Sequence, residues 1–304
     1  MAADSRTDGF LRWDGRRRIV ACFRNKAANG WRVVAGNRMI LVCASILSFF
    51  LAIALVSPYI LGDPRTLNPA NRLKPPGVEN WFGTDQLGRS VLVRTLYGTR
   101  VSLAAGFAVA AATTIFGLLI GLFSGFLRRL DGVLMRIMDG IMAIPGVLLA
   151  IALMSLFGSS LQNVIIAISI PEIPRMARVV RSATLAIREQ TYVEAAITNG
   201  ARLHRLLVWH ILPNVAAPIL VQATYVLASA MIVEAILSFL GAGTPPEIPS
   251  WGNMLAEGRQ FLQRAPWIMA FPGLMLAVLV LTVNVIGDAL RDSLDPRLKR
   301  RIGP

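Results

Sequence analysis

An all-α membrane protein with six transmembrane helices is the fold class this sequence predicts. Three observations predict it. Of 304 residues, 55% are hydrophobic and only 16% are charged, whereas soluble domains run near half apolar and about a quarter charged. The apolar residues are gathered into blocks, most of them near the roughly 20 residues that match a bilayer core. The basic residues also alternate between the flanks of those blocks. With the N-terminus in the cytoplasm, 23 of the 31 Arg and Lys fall on inside segments and eight on outside ones, as the positive-inside rule requires.

The elements follow in order. Residues 1–38 form a basic cytoplasmic arm, with nine Arg or Lys against Asp4, Asp8 and Asp14. So long a polar lead before a block that can itself span argues against a cleavable signal. The first span is 39–61, MILVCASILSFFLAIALVSPYIL. Residues 62–100 form a periplasmic segment that opens DPRTLNPANRLKPPGVENWFGTDQ, too rich in turn residues to continue a helix. Arg89, Arg94 and Arg100 lie in it and are expected at lipid headgroups. The second span is 101–127. It carries Gly106, Ala110, Gly117, Gly121 and Gly125, mostly four apart, which is a small-residue face that lets two helix backbones approach closely.

After RRLDGVLMR comes a third span, 137–157, with a kink expected at Pro145. The fourth is the weak one. LQNVIIAISI is short and runs into Pro171, Glu172 and Pro174. Dropping it would invert everything that follows and place six Arg of 175–210 and five basic tail residues outside. It is therefore kept, as a short, broken or protein-embedded helix. The fifth span is 214–240 and the sixth 267–287. Residues 101–287 make a five-helix core with a cytoplasmic loop at 182–213, and 288–304 is a cytoplasmic tail.

Several function classes lack their residues. No Lys follows a Gly or precedes Ser or Thr, so the phosphate-cradling G-x-x-x-x-G-K-[ST] loop is absent. His204 and His210 lack the spacing of a zinc helix, and there is no G-x-S-x-G. No catalytic, metal or cofactor site is expected on this chain. The net charge of +14 is read as membrane topology with contact to lipid, not as nucleic-acid binding. Cys22 and Cys43 make no disulfide framework.

The most structured loop is EAAITNGARLHRLLVWHILPN, residues 194–214. Thr191 and Glu194 fit a capping box, and Asn199-Gly200 is a helix stop. They bound a helix over 192–199 with Tyr192, Ala195, Ala196 and Asn199 on one face. That face is small and flat with one aromatic anchor, which suits insertion into a groove on another protein. A solvated hairpin that docks nothing is the plain alternative. Leu203, Leu206, Leu207 and Ile211 then form an apolar stripe leading to Pro213 and the fifth span. Polar residues within spans are candidates for a translocation path: Glu234 first, then Gln162, Asn163, Gln222 and Asn284. Each has a structural alternative, a partner such as an Arg or helix-end backbone for Glu234 and interhelical hydrogen bonding for the amides.

E-A-A, the Gly six residues after the Glu, and the I-L-P run resemble the EAA motif of ABC-importer permeases. FGTDQLGRSVLVRTLYGTRVSL (82–103), MDGIMAIPGVLL (138–149), VRSATLAIREQTYVEAA (180–196), EAILSFLGAGTPPEIPSWGNML (234–255) and NVIGDALRDSLDPR (284–297) are similar to dipeptide/oligopeptide-type permeases, and to their C-type subunit in particular. The family's Gly-Arg-Asp and a following Ser are replaced here by Ser90 and Val93.

The resemblance implies a type I ABC importer permease fold with a cytoplasmic coupling helix, whose ATPase contacts map to Tyr192, Glu194, Ala195, Ala196, Asn199 and Gly200. It also implies a homologous second permease forming a heterodimer, two ATP-binding subunits that carry the ATP and Mg, and a periplasmic or lipid-anchored solute-binding protein. The expected location is the bacterial inner membrane, and the expected cargo is di- or oligopeptides. Nickel, opine, glutathione or another small solute on the same scaffold is the alternative cargo. A secondary transporter or channel subunit is the alternative of a different class, and would be marked by an internal repeat that the sequence lacks.

Overall fold

A computed structural model describes residues 38–294, and the structural statements below concern those residues. The basic arm up to residue 37, with Cys22, and the tail from 295 lie outside them. Regular structure among the described residues is helical apart from one isolated bridge between Thr84 and Ser90.

Four helices are long and apolar enough to cross a membrane: Arg38–Ile60, Val91–Phe126, Leu203–Phe239 and Trp267–Ser293. The first falls within a residue of its expected bounds. The second starts ten residues before its expected start. Ser90 caps it, its hydroxyl accepting from the Val93 amide, and Arg94 and Arg100 are helical. Its 36 residues extend about 54 Å at 1.5 Å per residue, well beyond a hydrocarbon core of roughly 30 Å.

The third expected span is two helices, Arg128–Met142 and Gly146–Phe157, bent by 84° at the break. Pro145 is the N-cap of the second, so the expected kink is a full interruption. The segment 128–136, expected as a connection, is helical.

The fourth is neither short nor broken. Leu161–Arg188 is one helix of 28 residues that passes through Pro171 and Pro174. Each proline removes one intrahelical donor, but Val164, Ala167, Ile168, Pro174 and Met176 are buried around them, and that packing carries the helix through. It bears Glu172 near its middle and Arg175, Arg178, Arg181 and Arg188 in its second half, which is why it lacks the apolarity of the other four.

The glycine face does what its spacing predicts. A β-carbon on Gly117 would lie 2.6 Å from Met176 Cβ, one on Gly121 2.6 Å from the Ala177 carbonyl oxygen, and one on Gly125 2.7 Å from Thr184 Cβ. The contacts climb both helices in the same direction, so Val91–Phe126 and Leu161–Arg188 pack in parallel. Gly106 sits instead against Leu227 and Met231.

Among the described residues three apolar clusters result, a small one of Val91, Met254, Ala265 and Ile268 and two larger ones. One gathers Leu122, Met176, Val180, Leu207, Ile211, Val215 and Ile219 at the end of the bundle that carries the 182–213 loop. The larger one includes Phe50, Leu103, Val164, Met231 and Trp251. Trp251 is fully buried, donates to the Thr95 carbonyl at 2.8 Å and meets Phe50 edge-on at 6.2 Å.

Candidate functional site

The short helix of the loop is Thr191–Thr198, one residue earlier than expected. The capping box does not form. Gln190 is the N-cap, without a side-chain bond, and Thr191 is already helical. The stop signal holds. Ala201 N donates to the Ala196 carbonyl and Gly200 N to that of Ile197, the paired bonds of a Schellman ending. Gly200 has φ +74° with open space around it, so glycine is required by the backbone angle and not by crowding.

What seats this helix is Val193, fully buried, which the sequence reading passed over. Val193 faces the bundle, so the opposite side is turned outward. Glu194, Ala195 and Asn199 are exposed and Ala196 is half-buried. Tyr192 is 44% exposed, and its hydroxyl accepts from Asn214 Nδ2 at 3.1 Å. Burial of its ring pushes the Tyr192 phenol up. An adjoining groove of about 560 Å³ is lined by Ala196, Asn199, Gly200, Arg202, His204 and Arg205, among others. The face and the groove together form an open surface of small residues with a basic rim.

Both flanks of the loop are anchored. After Leu203–Arg205 the chain winds as a π-helix over Leu206–Ile211 before the regular helix Leu212–Phe239. A π-turn holds extra chain per turn. Leu206, Leu207 and Ile211 are buried, while Leu203 is 38% exposed, so the apolar stripe is shorter by one residue than expected. On the other flank, Arg181 meets Asp131 through Nε at 2.5 Å and Nη2 at 2.6 Å. Arg178 reaches Asp139 at 2.6 Å. Arg188 donates to the Phe126 carbonyl at 2.9 Å, with its guanidinium 5.3 Å from the Phe126 ring centre. Helix Arg128–Met142 is thereby tied to the last turns before the loop. Pairs 39 and 50 residues apart leave no local sequence signal.

The polar candidates in the spans do not form one site. Glu234 is fully buried. Its carboxyl accepts from Ser238 Oγ at 2.9 Å and Ser102 Oγ at 3.3 Å, so its partners are hydroxyls, not the Arg or helix-end backbone expected. Ser238 continues to Thr244, and Thr244 to Ser250 and Asn253. This network joins two long helices to the loop that precedes Trp251–Gly258. Asn163 Nδ2 donates to the carbonyls of Phe157 and Gly158 at 2.8 and 3.0 Å, which closes the end of the preceding helix. Gln162 is exposed, and Gln222 and Asn284 are half-buried on two helices that touch where Gly287 meets Thr224. Twelve residues of helix, about 18 Å, separate Gln222 from Glu234.

At the end of the bundle far from the loop, the headgroup expectation fails for two of three arginines. Arg94 is 1% exposed. It donates to Asp85 at 2.6 Å and to both oxygens of Glu257 at 2.6 and 2.9 Å. Arg89 bonds the same two carboxylates. Two charges of each sign compensate one another, so the cluster can sit in the protein. Arg100 remains exposed. Ser90, the departure from the family pattern, caps a helix as an Asp would.

Known proteins match this architecture. Residues 115–300 match the family described as binding-protein-dependent transport system inner membrane component. A probable peptide ABC transporter permease protein of Sinorhizobium fredii is 50% identical over 270 residues, covering 89% of this chain and 93% of its own. A dipeptide transport system permease protein of Alkalihalophilus pseudofirmus is 43% identical over 265 residues, covering 86% and 87%. Among solved structures, an inward-facing MetNI methionine ABC transporter chain superposes with a TM-score of 0.56 at 21% identity, covering 67% of this chain and 97% of that one; this likeness concerns the fold. The chain is a multi-pass membrane permease subunit of the binding-protein-dependent transport system inner membrane component family.

Proposed function

We propose that this chain is one of two permease subunits of an ATP-driven peptide importer in a bacterial inner membrane. The observation that carries the reading is the helix Thr191–Thr198. Val193 fastens it to the bundle while Tyr192, Ala195 and Ala196 are left open between two long helices. A helix of eight residues is marginal alone, and its small-residue outer face suits a groove on an ATP-binding subunit. A displacement of this helix passes through the π-turn at Leu206–Ile211 into the long helix that follows. ATP and Mg belong to two partner ATPases, and a homologous second permease and a solute-binding protein complete the assembly. Di- or oligopeptides are the cargo, by kinship with relatives carrying peptide and dipeptide names.

Six crossings are supported by a packing constraint. Val91–Phe126 and Leu161–Arg188 run parallel, so the chain between them must return from one end of the bundle to the other. The bent pair makes that return, as a broken third span. Both termini and the 182–213 loop then lie in the cytoplasm.

The test is a single cysteine at Ala195 in a chain lacking Cys22 and Cys43, within the assembled complex. An impermeant thiol reagent should label it in inside-out vesicles and not in right-side-out ones, and ATPase subunits should protect it. Labelling from the external side would overturn the reading.

A further inference from the structure

We propose that Glu172 and Arg175, beside the break in the third span, form a contact in the translocation path for the ammonium group of the cargo. The inference rests on the six-crossing reading above and adds a named site to it.

Three observations meet at this place. First, Glu172 is 7% exposed and lies near the middle of a 28-residue helix, about 9 Å along it from Arg178. One carboxylate oxygen is held only by Arg175, at 3.3 Å. The other, Oε2, is buried with no hydrogen-bond partner among the described residues. A buried carboxylate oxygen left unpaired is costly, so a donor that reaches it would be stabilised there. Second, Arg175 has half of its side chain exposed at membrane depth, where a guanidinium facing hydrocarbon is strongly disfavoured and one facing water is not. Third, Gly146 brings the break against the same turn: a β-carbon there would lie 3.3 Å from Pro171 Cβ. Residues 142–146 are all exposed. Non-helical backbone at this depth is tolerated beside water or covered by protein, but not beside lipid.

These features fit a recess open to water, with the Glu172 carboxylate beneath its wall. The Arg175 contact is long and single, so an ammonium group can displace it and gain two carboxylate oxygens. The displaced guanidinium, still within the recess, is then free to meet a carboxylate on the same solute. The recess thus fits zwitterions, and the ammonium contact at Glu172 is the part that a thiol probe reads directly.

The experiment uses the full complex with Cys22 and Cys43 replaced by Ser, in inside-out vesicles. Single cysteines are placed at Ile144 or Arg175, so failure of one to assemble leaves the other. Cationic trimethylammonium-ethyl and anionic sulfonatoethyl methanethiosulfonates are the probes. Both positions should react, and at Arg175→Cys, which leaves Glu172 without its counter-ion, the cationic reagent should be favoured about tenfold relative to a free thiol, from one nearby negative charge. Glu172→Gln should abolish that preference. Dialanine should slow labelling at Ile144, whereas N-acetyl-dialanine should not. Unreactive thiols, a preference unaffected by Glu172→Gln, or equal effects of the two peptides would overturn the proposal. A cysteine at Ala195 in the same vesicles separates the cases. If it reacts while Ile144 and Arg175 do not, only this inference falls.

Discussion

Arg94 and Glu257, 163 residues apart, meet in two parallel hydrogen bonds of 2.6 and 2.9 Å inside the end of the bundle farthest from the 182–213 loop. Glu257→Gln keeps the shape but leaves Arg94 with Asp85 as its remaining anion. Losing one member of a buried pair costs about 3 kcal/mol, and less here because Asp85 remains and Glu257 is 19% exposed. Thermal unfolding of the purified complex should show a clear drop for Glu257→Gln. The double variant Arg94→Met/Glu257→Leu should recover part of it, because neither charge is then left alone. Additive losses would show the pair to be uncoupled.

Gly121 and Gly132 offer a matched pair. Gly121 faces the Ala177 backbone oxygen, whereas a β-carbon on Gly132 meets nothing within 4 Å. Gly121→Ala should cost about 1–3 kcal/mol through overpacking and reduce the yield of folded protein in detergent. Gly132→Ala, in an open helical position, should be neutral or slightly stabilising. Equal behaviour of the two would mean that the glycine seam is not a close contact.

Gly200→Val should strain the left-handed ending of the loop helix by about 1–2 kcal/mol without a clash, since the site is open. Assembly with the ATPases should persist while transport-coupled ATP hydrolysis falls. Co-purification together with binding-protein-stimulated ATPase in proteoliposomes reads both. Unchanged coupling would remove the loop ending from the mechanism.

Val193→Ala should free the loop helix from the bundle. Amide exchange across 191–198 should rise and coupling should weaken, while the long helices keep their protection. If exchange there stays as slow as in the parent, Val193 is not the anchor.

Glu234→Gln should be well tolerated, because a Gln side chain can accept from one of the Ser102 and Ser238 hydroxyls through its oxygen and donate to the other through its amide nitrogen. Glu234→Leu should destabilise by about 1–3 kcal/mol, since it strips partners from buried groups. Thermal stability should follow this order, with transport falling only as stability does. A transport defect in Glu234→Gln at full stability would return Glu234 to the path.

Where a signal is local, the sequence carried it. The first and sixth apolar blocks, the break at Pro145 and the stop at Gly200 all follow from spacing along the chain. The Gly117, Gly121 and Gly125 face was equally legible, since a four-residue period puts small side chains on one line. The second helix began earlier than composition allowed, because Arg94 looks like an exposed charge until Asp85 and Glu257 are brought to it. The prolines at 171 and 174 looked like a boundary because propensity knows nothing of neighbouring helices. Val193 was passed over because one apolar residue in an eight-residue helix has no period to announce it.

Hydrophobic blocks and basic flanks, read alone, determined that this chain lives in a bilayer, and the neighbours of its lysines that the sequence holds no phosphate-cradling loop. Burial of apolar area and the cost of charge in lipid act on composition, which a sequence states outright. The folded chain alone decided which charges are neutralised, which helix each glycine meets, and that Glu172, not Glu234, has an oxygen left unpaired. Those outcomes depend on contacts between residues tens to more than a hundred positions apart, and the energy of such a contact depends on a separation in space that the order of residues does not contain.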